Sequence, residues 1–148
     1  MTLKIQPLSE RIGQDIPFPY YATSGAAAVD LHACITEDIT IPCGERVLID
    51  TGLAVAIPEG HVGIIAVRSS MGIKNGITLT NGIGVIDSDY RGPLRVGLFN
   101  LGREAYTVRP ADRIAQLMVV PVVCPTLEVV SALPETERGI GGIGSTGR

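Results

Sequence analysis

Apolar residues recur along this chain in short runs, and Gly, Pro, Asn or Asp stands in nearly every gap between them. Runs of this length bounded by turn formers predict β-strands rather than helices. The predicted strands are Leu3–Gln6, Ala28–Cys34, Asp38–Ile41, Arg46–Ile49, Leu53–Ile57, Val62–Val67, Ile77–Leu79, Gly84–Ile86, Leu94–Phe99, Ala105–Val108, Ile114–Val123 and Leu127–Val130. Between them lie Pro42-Cys43-Gly44, Pro58-Glu59-Gly60, Asn75-Gly76, Asn81-Gly82, Arg91-Gly92-Pro93 and Asn100-Leu101-Gly102. Many short strands at this spacing predict an all-β sandwich, jelly roll or barrel. Asn81-Gly82 predicts a hairpin with a type I′ turn, because that pair tolerates positive φ. One short helix is predicted over Ser70–Lys74, with Ser69 or Ser70 as its cap. There is no internal repeat, which excludes propellers and solenoids.

Composition sharpens this picture. With 148 residues the chain is sized for one domain, and 18 Gly and 10 Pro against 4% aromatics and no Trp disfavour a helical bundle. The core must come from Val, Ile, Leu and Ala. The net charge is −3 and no run of Lys or Arg occurs, so no nucleic-acid partner is expected. Ten of the twelve basic residues are Arg, whose fork suits phosphate and carboxylate oxygens. Cys34, Cys43 and Cys124 cannot all pair, and with His32 and His61 they form no zinc-ligand spacing. They read as reduced thiols, and His32-Ala33-Cys34 as strand alternation. The opening residues lack the apolar core of a signal peptide, and the apolar stretch Met118–Cys124 is too short to span a bilayer. A soluble, cytoplasmic protein with no membrane partner is expected.

Four places carry candidate chemistry. Arg68-Ser69-Ser70 follows an apolar strand and precedes the possible helix start, which makes either an anion site or a capped turn. The segment Gly82–Gly92 sets Asp87, Asp89 and Tyr90 at a strand end; Asp87 is a candidate general base, a metal-bound carboxylate or part of a polar turn. Asp30 and Gln116 each interrupt an apolar run, and a buried acid needs a partner or a cation. After Pro134 the composition changes, dividing a core of residues 1–134 from an arm of residues 135–148. Glycine-spaced backbone N–H groups there accompany Arg138, Ser145 and Thr146, which are phosphate-cradling groups. The arm is not a Walker loop, since it has neither a Lys nor a following helix.

In this order the segments resemble the five motifs of the trimeric dUTPases. The first is Tyr21-Ala22-Thr23-Ser24-Gly25-Ala26-Ala27-Ala28-Val29-Asp30-Leu31 and the second Val67-Arg68-Ser69-Ser70-Met71-Gly72. The third is Gly84-Val85-Ile86-Asp87-Ser88-Asp89-Tyr90-Arg91-Gly92, and the fourth Arg109-Pro110-Ala111-Asp112-Arg113-Ile114-Ala115-Gln116-Leu117. The glycine-rich arm resembles the fifth. The resemblance implies a jelly-roll-like β-barrel of the β-clip type, a homotrimer with active sites between subunits, and hydrolysis of dUTP to dUMP and pyrophosphate with Mg²⁺. It assigns Asp87 as the base that activates water, and Asp30 to the outer, water-linked shell of the metal. Arg68, Ser69, Ser70 and Gln116 would hold phosphates, Asn81 and Gly84 would read uracil, and Tyr90 would pack on deoxyribose. Arg138, Ile143, Gly144, Ser145 and Thr146 would close over the substrate as a mobile lid.

Two positions depart from the family pattern. Ala28 stands where Gly is common, and Ile143 stands where the fifth motif has a Phe that stacks on uracil. Loss of that stacking implies an active enzyme with a weaker lid. Two other readings of the same segments are a dCTP deaminase-like enzyme, disfavoured by the third motif, and a dUTP-binding regulatory protein, disfavoured by the retained Asp87.

Overall fold

The computed structural model describes residues 1–143 and Ser145. Its runs of alternating or continuous apolar residues form eleven strands among the described residues. These are β1 (Lys4–Pro7), β2 (Val29–His32), β3 (Ile39–Ile41), β4 (Arg46–Asp50), β5 (Leu53–Ala56), β6 (His61–Val67), β7 (Ile77–Leu79), β8 (Gly84–Ile86), β9 (Arg95–Asn100), β10 (Tyr106–Val108) and β11 (Arg113–Pro121). The result is an all-β, jelly-roll-like fold.

Every ladder is antiparallel, and the strands make four small sheets: β1-β5, β10-β3, β2-β11-β6-β8 and β4-β9-β7. Their inward side chains meet in one apolar cluster that includes Leu31, Ile49, Ile65, Leu98, Val108, Ile114 and Leu117. Strand β9 shows the logic, with Val96 and Leu98 buried while Arg95 points to solvent between turns of the pleat. Buried polar groups are satisfied, as burial without a partner demands. Asn100, fully buried, donates from Nδ2 to Ile41 O and Glu104 O at 2.9 Å and accepts the Gly102 N–H at 2.8 Å. Thr51 Oγ1 donates to Leu94 O at 2.8 Å.

Four local expectations are corrected by tertiary pairing. The turn at Asn81-Gly82 closes through the Gly82 N–H to Leu79 O, yet only Gly82 has positive φ (73°), so it is not type I′. Nor does it close a hairpin ladder: β7 pairs with β9 while β8 pairs with β6, so the turn carries the chain from one sheet to another. The helix at Ser70–Lys74 is a single π-type turn, and Ser69 caps it with no side-chain hydrogen bond. His32-Ala33-Cys34 does not alternate, because β2 ends at His32 and the Ala33 and Cys34 N–H groups bond Asp112 O and Asp50 O instead. Finally, Leu127–Val130 forms no strand; it runs unpaired and exposed beyond β11.

Candidate active site

Strand β11 lies between β2 and β6, and its register sets Gln116 opposite Asp30 on one side and Ala66 on the other. Arg68 follows the last residue of β6, one step beyond Val67, which pairs with Ala115. Three motifs far apart in the chain therefore meet on one sheet face. Arg68 Nε lies 3.0 Å from Asp30 Oδ1, and Arg113 Nη1 donates to Asp30 Oδ2 at 3.3 Å. Two guanidinium groups on one carboxylate leave an excess of positive charge, flanked by the exposed hydroxyls of Ser69 and Ser70. That combination attracts and can hold an anion.

Arg113 reaches Asp30 through an irregularity in β11. The register with β2 shifts between Arg113, opposite His32, and Ala115, opposite Leu31, leaving Ile114 as an extra residue. Ile114 and Ala115 are both fully buried. In a regular strand Arg113 and Gln116 point to opposite faces; the bulge brings both to the Asp30 face. His32, buried beneath this cluster, has its imidazole pKa lowered by burial, with Arg113 and Arg68 adding to the effect and Asp30 opposing it.

A second group of residues gathers around β8. Asp87 and Tyr90 line a cavity of about 420 Å³ with Val85, Ile86, Pro93 and Arg95. Asn81 and Gly84 line a smaller one of about 250 Å³ that shares Val85, Ile86 and Arg95 with it. Gly84 lets β8 approach β6 closely, since a Cβ there meets Ile65 Cβ at 2.9 Å. The Asp87–Tyr90 turn is set by the Tyr90 N–H to Asp87 O at 3.2 Å and by Tyr90 Oη donating to Pro93 O at 3.1 Å. The ring lies so near Gly92 that a Cβ at that position meets Tyr90 Cζ at 2.7 Å. A carboxylate, a phenol ring and an apolar wall thus surround one hollow, which suits a nucleoside-sized group and a water.

The two groups are not brought together within the chain. Ile86, just before Asp87, pairs with Gly63 near the start of β6, whereas Arg68 lies beyond its far end. Five residues separate Gly63 from Arg68, about 17 Å at a strand rise of ~3.3 Å. In the arm, Arg138 and Ser145 border a hollow with Thr136 and Gly141, and Arg138 Nε donates to Gly141 O at 3.2 Å. Ile143 is fully exposed, while Gly144 and Thr146 lie outside the described residues.

Sequence reasoning missed Arg113, His32 and Arg95. Arg95 had a readable signal, since alternation along Arg95-Val96-Gly97-Leu98 points it outward, where it pairs with Asp50 at 3.5 Å. Arg113 and His32 had none, because a bulge is invisible in the residue pattern.

Sheet layout and site together describe a β-rich protein with an anion-holding face and a separate nucleoside-sized hollow. A dUTPase family model matches residues 14–147. The chain is 46% identical over 147 residues to the deoxyuridine 5′-triphosphate nucleotidohydrolase of Idiomarina loihiensis, covering 99% of this chain and 97% of the relative. It is also 46% identical over 148 residues to that of Coxiella burnetii, with the same coverage. Among solved structures, a point mutant of the Staphylococcus bacteriophage 80alpha dUTPase with dUpNHpp matches with a TM-score of 0.85 at 26% identity, covering 99% of both chains. A mutant dUTPase from phage phi11 of S. aureus, described for its coordination of a structural Mg(II) ion, matches with a TM-score of 0.77 at 26% identity, covering 89% of this chain and 98% of that one. The chain belongs to the dUTPase family.

Proposed function

We propose that this chain hydrolyses dUTP to dUMP and pyrophosphate, at sites assembled between copies of itself. The observation that carries the reading is the placement of Asp87 and Tyr90 at one end of β6 and of Asp30, Arg68 and Gln116 at the other. Each set holds half of what nucleotide hydrolysis requires. A base must lie within about 3 Å of the water it aims at phosphorus, and phosphate-holding cations must touch the same triphosphate. One chain separates these groups by far more than that reach, so the complete site takes one set from each of two copies. A homotrimer supplies three such sites. Exposed apolar residues beyond β11, among them Val123, Leu127, Val129 and Leu133, provide surface for a second copy to bury.

In this site the rigid backbone around Asn81 and Gly84 reads the uracil edge, and a pocket matched to uracil leaves polar groups unpaired when cytosine enters. Tyr90 packs against the deoxyribose and blocks a 2′-hydroxyl. Asp87 accepts the proton of a water as its oxygen attacks the α-phosphorus in line; the α–β bridging P–O bond breaks and pyrophosphate leaves. Arg68, Ser69, Ser70 and Gln116 hold the phosphate oxygens and stabilise the charge that develops on them. The arm, residues 135–148, acts as a lid in which Arg138, Ser145 and Thr146 reach the phosphates, Gly144 lends its backbone and Ile143 covers the base.

Among the described residues of one copy no three His, Cys, Asp or Glu side chains converge on a metal-sized hollow. Asp30, already paired with Arg68 and Arg113, is the carboxylate of the anion-holding face and fits Mg²⁺ only through the ion's own waters, with triphosphate as its main holder, the usual arrangement for this ion. When bound, Mg²⁺ neutralises triphosphate charge, and Asp30 anchors its water shell. No helix among the described residues is long and apolar enough to cross a membrane. Its three thiols are all free, as in the reducing cytoplasm where we place the protein.

A pyrophosphate-release assay with dUTP, dCTP, UTP and dTTP tests the reading. Release from dUTP alone is expected. Deamination of dCTP identifies the deaminase-like alternative, and tight dUTP binding without turnover identifies a regulatory binder. Asp87→Asn is expected to bind dUTP yet lose roughly 10²–10⁴-fold in turnover, the usual contribution of a positioned base. Wild-type rates in that variant remove Asp87 from the mechanism.

A further inference from the structure

We propose that Arg113 is a positioning residue, delivered to the site face by the bulge at Ile114, that anchors the Asp30 carboxylate independently of Arg68. The inference rests on the dUTPase reading and assigns a role that reading leaves open. Asp30 has two oxygens and two arginines, one on each: Arg68 on Oδ1 at 3.0 Å and Arg113 on Oδ2 at 3.3 Å. These arginines have different prospects when a triphosphate arrives. Arg68 stands just beyond β6, its carbonyl bonded by the Met71 and Gly72 N–H groups and its side chain beside the Ser69 and Ser70 hydroxyls, so its fork is drawn to phosphate and its hold on Asp30 is shared or surrendered. Arg113 is the first residue of β11, paired opposite His32 and followed by the bulge, and its contact with Oδ2 is on the far carboxylate oxygen from Arg68.

Without Arg113, Asp30 faces phosphate-bound Arg68 alone and is free to rotate away from the water shell of the cation. With it, one carboxylate oxygen stays pinned and the other stays aimed across the site. The bulge is what makes this possible, because a regular strand sends Arg113 to the opposite face from Gln116 and Asp30. Bulges next to active sites commonly re-aim a side chain in this way.

Calorimetric binding of the non-hydrolysable analogue dUpNHpp, with and without Mg²⁺, tests the proposal in the full-length protein. In the wild type Mg²⁺ strengthens binding. In Arg113→Gln the affinity without Mg²⁺ is expected to fall modestly with the lost positive charge, while the strengthening by Mg²⁺ shrinks by a further factor of about two to five, as for a half-exposed ion pair. Arg113→Lys is expected to restore part of it. Asp30→Asn is expected to lose the same strengthening, and Arg113→Gln added to it is expected to change the Mg²⁺ effect no further. An undiminished Mg²⁺ effect in Arg113→Gln overturns the proposal. So does equal weakening with and without Mg²⁺ alongside a lowered melting temperature, which marks a merely structural role. Wild-type protein that neither binds dUpNHpp nor hydrolyses dUTP overturns the dUTPase reading itself, and with it the role given to Asp30.

Discussion

Combining two inactive variants tests whether the site is shared between copies. Asp87 and Arg68 lie toward opposite ends of β6, with about 17 Å of strand between Gly63, the partner of Ile86, and Arg68. On the proposed reading both groups act on one triphosphate, and this spacing assigns them to different copies in each site. Asp87→Asn and Arg68→Gln are each expected to be nearly inactive. Co-expressed with different tags and purified for both, they form mixed trimers of either composition. In a cyclic arrangement each site takes Asp87 from one copy and Arg68 from the next, so every mixed trimer holds one site with both intact. About one third of wild-type activity is therefore expected to return. Steady-state pyrophosphate release reads it directly, and native mass spectrometry verifies the mixing. Mixed trimers as inactive as their parents place both groups on the same copy and refute the argument.

Three further outcomes follow from individual residues. Ile143→Phe is expected to lower KM or raise kcat/KM for dUTP by restoring base stacking, worth about 1–3 kcal/mol per stacked base; unchanged kinetics mean that position 143 does not touch the base. Ala111 has φ 64° in the Arg109–Asp112 turn, closed by the Asp112 N–H to Arg109 O at 3.1 Å, where a type II turn wants Gly. Ala111→Gly is expected to stabilise the fold by about 1 kcal/mol, read as a rise of about 2–4 °C in the unfolding midpoint. His32 has its folded-state pKa held below the ordinary 6.5 by burial, so between those two values the unfolded chain binds the extra proton. Its contribution to stability is fully present above pH ~6.5 and lost as pH falls toward the folded pKa, so thermal melts at pH 7.5 and 5.5 should differ less in His32→Asn than in the wild type.

The residue pattern alone determined the strand-and-turn architecture and the chemical cast. Eleven of the twelve predicted runs became strands, since β-branched runs bounded by Gly, Pro and Asn leave the chain few other choices. Residue chemistry put Asp87, Arg68, Gln116 and Asp30 among the candidates, and motif order tied them together. What only tertiary structure decided were pairings and faces. Leu127–Val130 has strand composition but no partner strand among the described residues, and it is exposed. The Asn81-Gly82 turn has hairpin chemistry, but β7 and β8 pair with β9 and β6 rather than with each other. The bulge at Ile114 moves Arg113 across the sheet without any mark in composition. The reason is common to all three. Propensity and periodicity are local, whereas register and facing are settled by which distant strand supplies the hydrogen bonds and the apolar surface. That is how residues legible one by one came to stand in two groups at opposite ends of β6.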